Sequence, residues 1–206
     1  MSARLVAVTE ITPLPNRAEE LATRWARSSN DLPAERRGVF LSLDGTSVME
    51  LAGLERLEDL AACSPAWPRL EAAFAPHLAA DWRRQVLGYV ESVKPCPTPL
   101  PETPYLQMRH VEVKPPVYPD YREWRDRTIY GVVRRAPEVE VFLSYHSLLS
   151  TEPGVMFLAG FSTDPDSYSQ VFATEEYRRI VQEAGDTYIT GGAAGLYTRI
   201  YRRIAP

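Results

Sequence analysis

Lysine is nearly missing from this chain: of 23 basic residues only Lys94 and Lys114 are lysine and the rest are arginine, the usage of a GC-rich coding sequence. Cysteine is also scarce. Cys63 and Cys96 stand alone, outside any CxxC or metal-ligand spacing, so neither a disulfide framework nor a zinc site is indicated. They read as small hydrophobes or loop thiols in a reduced setting. The net charge of −4 gives no global basic field, and no nucleic-acid or membrane partner is expected. Arg134-Arg135 and Arg202-Arg203 read as a helix end and a strand end. No run approaches the roughly 18 apolar residues of a membrane span. No charged segment followed by an apolar stretch marks a signal peptide, so a cytoplasmic location is expected. Gly-rich phosphate loops are lacking too: Gly191-Gly192 runs into Ala193-Ala194 and reads as a turn. No nucleotide, flavin, other cofactor or metal is implied, and no Ser/His/Asp order suggests a nucleophile elbow.

What the chain does have is an internal repeat. VFLSL at 39–43 recurs as VFLSY at 141–145, and VMELAG at 48–53 recurs as VMFLAG at 155–160. Glu10-Ile11-Thr12-Pro13 is matched by Glu112-Val113-Lys114-Pro115. The first and third matches lie 102 residues apart and the second 107, so Ser150–Gly154 reads as a hairpin lengthened by five residues. PCPTPLPETP at 95–104 holds five prolines, which favours an extended, semi-rigid linker. The organisation read from this is a first half over 1–94, a linker over 95–104 and a second half over 105–206.

Each half carries the same series of elements. In the first, residues 5–12 alternate as a strand, and Asn16 with Glu19 reads as a capping box for a helix carrying Leu21 and Trp25. A hairpin turns at Asp44-Gly45 between strands at 39–43 and 48–51. A helical stretch over 56–80, interrupted near Pro65 and Pro68, leads to a strand at 82–90. The second half repeats this with strands at 105–113, 139–148, 155–161 and 196–204, and helices at 119–135 and 167–184. This βαββαβ order gives an α+β, ferredoxin-like half with both helices on one face of its sheet. Two such halves can bury their bare sheet faces against each other, so a fused, pseudo-dimeric α/β barrel is expected. The pseudo-dimer makes a monomer sufficient, although a homodimer is compatible.

In both halves the strand ending near proline, the hairpin and the segment after VMxLAG (Ser64–Leu70 and Thr174–Ile180) resemble the dimeric α/β-barrel superfamily. That superfamily includes antibiotic-biosynthesis monooxygenases, small polyketide cyclases and haem-degrading monooxygenases. The resemblance covers nearly the whole chain, but it specifies a fold far better than a reaction. Haem-degrading relatives use an Asn, a Trp and a His. Here Ala7 stands at the position of that Asn, and Trp67 and His77 lie in a dissimilar setting, so haem degradation is not expected.

Alternation assigns faces to the candidate site residues. The expected barrel-facing set is Glu10 and Asp44 in the first half, and His110, Glu112, Phe142, Ser144 and His146 in the second. Imidazole beside carboxylate is the pairing that proton transfer needs. A hydrated polar seam between the halves is the competing reading. A metal site is a third, though no HxH or HxxxH spacing supports it. On the helix-facing side, Gln107, Arg109 and Tyr145 replace Leu5, Ala7 and Leu43 of the first half, and could bind an oxygenated or enolate substrate, unless Arg109 is simply a buried, satisfied arginine. The function expected is a cofactor-free cyclase or aromatase acting on a polyketide-like small molecule. His110 or His146 would be the base, Glu112 its orienter, and Arg109 and Tyr145 the enolate stabilisers. The alternatives are a cofactor-independent monooxygenase and a non-catalytic binding or assembly protein.

Overall fold

The computed structural model describes residues 1–28 and 32–205. The first half contributes β1 (Leu5–Ile11), α1 (Ala18–Ala26), β2 (Arg37–Ser42), β3 (Val48–Leu54), α2 (Leu60–Cys63), α3 (Trp67–Phe74) and β4 (Arg83–Lys94). The second contributes β5 (Tyr105–Val111), α4 (Tyr118–Arg127), α5 (Ile129–Arg135), β6 (Val141–Leu149), β7 (Val155–Phe161), α6 (Pro165–Gln170), α7 (Glu175–Thr187) and β8 (Leu196–Ile204). All eight strands close one antiparallel barrel in the order β1-β3-β2-β8-β5-β7-β6-β4. Each half is thus a four-stranded ferredoxin-like sheet, and the seams are β2·β8 and β4·β6.

Local chemistry explains where the helices begin and break. Thr174 caps α7, its hydroxyl accepting from the Tyr177 amide at 3.1 Å, and Asp164 caps α6 through the Asp166 and Ser167 amides. The expected Asn16 cap does not form. Asn16 sits at φ 64°, a conformation Asn tolerates, and α1 starts after Arg17 with no side-chain cap. At the other end of α1, Arg37 donates to the carbonyls of Trp25, Ala26 and Ser28 and pairs with buried Glu50 at 2.5 Å. The helical stretch at 56–80 breaks into α2, α3 and 3₁₀ turns at Pro65 and Pro68, and that at 119–135 divides at Thr128.

The barrel interior is an apolar layer built by Val6, Val8, Phe40, Met49, Leu51 and Leu87 from the first half and Leu106, Met108, Leu143, Tyr145, Met156 and Leu158 from the second. Each such side chain contributes about 1.5–3 kcal/mol on burial. Helices cover the outer faces, with Trp25 and Phe74 on one side and Tyr121, Trp124 and Tyr177 on the other.

The proline-rich segment 95–104 is more than a spacer. Cys96 and Leu100 belong to the barrel's inner apolar cluster, and Arg203 donates to the Pro101 carbonyl at 2.8 Å. The segment lies against Gly53 and Gly160, the repeated glycines of the two VMxLAG motifs. A Cβ on Gly160 would stand 2.6 Å from Thr103 Oγ1 and 3.2 Å from Pro101 Cβ. One on Gly53 would meet Ala3 and Leu100 at 3.1 and 3.4 Å. Glycine is needed there because the chain crosses that end of the barrel in contact with both strands.

The true register of the repeat differs from the motif matches. Phe40 pairs with Met49 and Tyr145 with Met156, which makes Tyr145, not Phe142, the counterpart of Phe40. VFLSL and VFLSY are therefore three residues out of structural register, and an odd slip exchanges the two faces. The hairpins run from Ser42 to Ser47 and from Ser147 to Gly154, a difference of two residues rather than five.

Candidate functional site

With one end of the barrel crossed by the 95–104 segment, the opposite end holds a cavity of about 400 Å³. The strands deliver its walls by alternation. Met49, Met108 and Met156, the three methionines after Met1, all line it. Polar groups come from Glu10 of β1, Arg83 and Gln85 of β4, His110 of β5, and Tyr197, Arg199 and Tyr201 of β8.

Glu10 is the centre of this layer. Its Oε1 accepts from Arg199 at 2.8 Å, from Tyr201 at 3.2 Å and from Ser47. Strands β1 and β8 are not neighbours, so the Arg199 contact spans the barrel interior. Tyr201 is buried, and burial together with the adjacent Glu10 carboxylate raises its phenol above the ordinary range. Tyr197 is raised for the same two reasons. Arg199 is pulled down by burial, but Tyr201, Tyr197 and Glu10 outweigh that and hold it charged.

His110 lies on the opposite side of the mouth. Its Nε2 is 3.1 Å from the Pro153 carbonyl, which can only accept, so that nitrogen carries a proton and Nδ1 is the basic one. Pro153 and Gly154 belong to the longer hairpin. A Cβ on Gly154 would come within 2.8 Å of His110 Nε2, and Gly154 has φ 147°, so the loop can approach the imidazole only with glycine there. Glu152 of the same loop forms an exposed ion pair with Arg83 at 3.3 Å across the rim.

Of the residues expected from sequence, Glu10 and His110 meet at this cavity. The others do not join them. Asp44 is held in its turn by Ser42 and Thr46. Phe142 packs in the helix-side core, and His146 lies on that same face, edge-on to Tyr118 at 5.8 Å. Both placements reverse the expected face because of the register shift in β6. Tyr145 is reversed in the other sense: it faces the barrel interior and its hydroxyl donates to the Ala3 carbonyl at 3.1 Å. Glu112 lies past the end of β5 and gives its backbone carbonyl to Thr190. Gln107 and Arg109 are on the helix side, as expected. Gln107 accepts from Tyr168 at 3.2 Å, and Arg109 donates to Thr198 at 3.0 Å and to Tyr177. The space beside Arg109 measures about 20 Å³, too small for an organic substrate. His110 and Arg109, consecutive on one strand, cannot act on one molecule. Trp67 lies near the Arg84 guanidinium at 4.6 Å, and His77 gives its carbonyl to Leu14.

Tyr197, Arg199 and Tyr201 are not among the site residues expected from sequence. Their signal is present: Leu196–Ile204 reads LYTRIYRRI, whose alternate positions 197, 199, 201 and 203 are all polar or aromatic. Among the described residues, no group of three or more His, Cys, Asp or Glu side chains could hold a metal ion. No helix among them is long and apolar enough to cross a membrane.

No protein-family model matches the chain, and no curated protein matches it. Solved structures do. An anthrone oxidase-like protein superposes with a TM-score of 0.71 at 12% identity, covering 97% of this chain and 91% of the other. The fold is the dimeric α/β barrel, both halves in one polypeptide. A proposed monooxygenase from Lactobacillus acidophilus NCFM shares this barrel (TM-score 0.64, 14% identity, 98% and 94% covered). So does a ferredoxin-fold protein from Listeria monocytogenes 4b F2365 related to antibiotic-biosynthesis monooxygenases (0.52, 8%, 98% and 96%). In the dimeric α/β barrel of this chain, the two halves differ at the mouth, where Glu10, Arg83 and Gln85 of one stand against His110, Tyr197 and Arg199 of the other.

Proposed function

We propose that the mouth is an active site for deprotonating a small, polyoxygenated molecule, and that the chain is a monooxygenase-like enzyme for phenolic or polyketide-like substrates. The observation that carries this is the placement of His110, with its basic Nδ1, on the cavity that also holds the Glu10–Arg199–Tyr201 cluster. A cavity of about 400 Å³ falls within the roughly 300–1,000 Å³ of small-molecule sites. Its methionine walls suit a flat apolar ring, since thioethers adapt their shape and pack well on aromatic faces.

In this mechanism His110 removes a proton from a carbon activated by a neighbouring carbonyl. Tyr197 and Arg199 stabilise the oxygen on which negative charge develops. The resulting carbanion bonds to dioxygen, the oxidant, and protonation gives a hydroperoxide at that carbon. Loss of the second hydrogen as a proton then forms the new carbonyl and breaks the O–O bond, and the outer oxygen leaves as water, so the carbon gives up four electrons in all and dioxygen accepts four. The likeness in fold to oxidase- and monooxygenase-like proteins favours this course over cyclisation. Cyclisation would use the same base, with the enolate attacking a carbonyl of its own chain and no oxygen consumed.

The test is oxygen uptake with a hydroxylated anthrone as probe. Wild type is expected to consume one dioxygen per product, with label from ¹⁸O₂ in the new carbonyl, and His110→Ala to lose turnover. A product formed from a poly-β-ketone without oxygen uptake would replace oxygenation by cyclisation. Full activity in His110→Ala would overturn the assignment of the base.

A further inference from the structure

In both halves the residue just before the VMxLAG motif touches the side chain that faces the cavity. Ser47 precedes Val48 and Gly154 precedes Val155, and those valines stand opposite Ile11 and Val111 in the β1·β3 and β5·β7 registers. Ser47 donates its hydroxyl to Glu10. At Gly154 the His110 imidazole occupies the space a side chain would take. An added Cβ would stand 2.8 Å from His110 Nε2 and 2.5 Å from the Val111 carbonyl oxygen. The φ of 147° at Gly154 disfavours other residues independently. With that space open, the Pro153 carbonyl reaches Nε2 at 3.1 Å and accepts its hydrogen bond.

The segment that carries Pro153 is itself tied across the mouth. Its ends are closed by the Ser147 amide donating to the Gly154 carbonyl and the Gly154 amide donating to Ser147 Oγ, both at 2.9 Å. Its tip reaches β4: Ser150 Oγ lies 3.2 Å from Gln85 Oε1, and Glu152 pairs with Arg83 at 3.3 Å. Arg83, Gln85 and His110 all line the cavity, and β7 and β6 separate β5 from β4 in the ring. Residues 150–154 therefore bridge cavity-lining side chains of two strands that are not neighbours. The first-half turn is instead closed on itself by Asp44 with Ser42 and Thr46.

We propose that Glu152, Pro153 and Gly154 are positioning residues for His110, and that the Glu152–Arg83 ion pair couples the first half of the barrel to the base; this rests on the reading of His110 as that base. A neutral imidazole has one N–H, and a carbonyl that accepts it fixes the tautomer and restrains the ring. Such restraint matters because an error of about 1 Å at a reacting group costs on the order of 10²-fold in rate. The three residues act through His110. The ion pair is exposed, so its share is small, a factor of at most about 5.

The test joins oxygen uptake with the hydroxylated anthrone to ¹H–¹⁵N spectra of the imidazole groups in the full chain without substrate. His110→Ala identifies the His110 signals among the three histidines. Wild type is expected to carry the His110 proton on Nε2 and to protect it from exchange. Gly154→Ala should lose that protection and lower kcat by about 10²-fold, with KM changed by less than about threefold. Glu152→Gln should speed the exchange and lower kcat by about 2- to 5-fold, and the reversed pair Arg83→Glu with Glu152→Arg should restore both. Glu152 is exposed, so its variant decides the matter even where Gly154→Ala does not fold. A wild-type His110 N–H that exchanges freely, or Glu152→Gln with the spectrum and kcat of wild type, would overturn the proposal. Loss of the base assignment shows separately, as full activity in His110→Ala, and leaves the spectra to decide whether the segment holds the ring.

Discussion

Glu10 and His110 occupy equivalent positions in the two halves of the barrel. Glu10 pairs with Met49 and His110 with Met156, the methionines of the two VMxLAG motifs. The bridges Pro13–Leu78 and Val113–Ile189 continue the same correspondence past each strand. Strands β1 and β5 lie half the ring apart, so an acid and an imidazole stand on opposite sides of one cavity. The duplication has placed different chemistry at one position of the fold.

If His110 is the base, His110→Ala should lower kcat by about 10²- to 10⁴-fold, and His146→Ala should leave it within about twofold. His146 is on the helix face against Tyr118 and serves as the internal control. Steady-state oxygen uptake measures both. Equal losses would return the chemistry to the other face of the sheet.

Arg199→Met should destabilise the fold by about 1–3 kcal/mol, because Glu10 then keeps only hydroxyl partners in a half-buried setting. Adding Glu10→Gln should recover part of that loss, since the carboxylate left unpaired is then gone. Urea unfolding of the two single variants and the double variant tests the coupling. Strict additivity would show that the cross-barrel pair is unimportant.

Asp44 gives a pH dependence of known sign. Burial alone would raise its carboxyl, but hydrogen bonds from Ser42 and Thr46 and the charge of Arg199 together bring it below the usual carboxylate value. Its folded-state pKa is therefore depressed, and its contribution to stability is present above the unfolded-state value and lost as pH falls through the folded one. Asp44→Asn should be less stable than wild type near pH 7, and the gap should narrow as pH falls below the ordinary carboxylate value. A gap that stays constant over that range would contradict this account.

At the crossed end of the barrel, Gly160→Val should cost about 1–3 kcal/mol by forcing Thr103 and Pro101 away from the strand. Gly88→Ala, whose nearest added contact would be 3.8 Å away, should be close to neutral. Melting temperatures of the two variants decide whether the 95–104 segment is packed as described.

The duplication, the series of elements in each half and the closed barrel were legible because three short motifs recur in sequence and each half repeats one series of elements. Glu10 and His110 were legible because alternation along β1 and β5 is interrupted by a polar residue at each strand end. The register of β6 was not legible. Val141–Tyr145 is buried on both faces, between helices and barrel interior, so apolar identity carries no information about direction. The match VFLSL/VFLSY was therefore free to mislead, and Phe142, Tyr145 and His146 were assigned to the wrong faces. Arg109 was correctly given a helix-facing position. What sequence could not show was that the helices pack so closely there that only about 20 Å³ remains.

The seams impose an order of events on synthesis. β2 is completed early but pairs with β8, the last of the eight barrel strands in chain order, and β4 must wait for β6. Until then the nascent first half carries two open strand edges and an uncovered apolar surface from Val6, Val8, Phe40, Met49, Leu51 and Leu87. That surface is as sticky toward another nascent copy as toward its own second half, and ring closure depends on contacts distant in sequence, which form slowly. Slowing translation beyond residue 104 should therefore divert chains into aggregates, whereas the finished barrel has no edge left to offer.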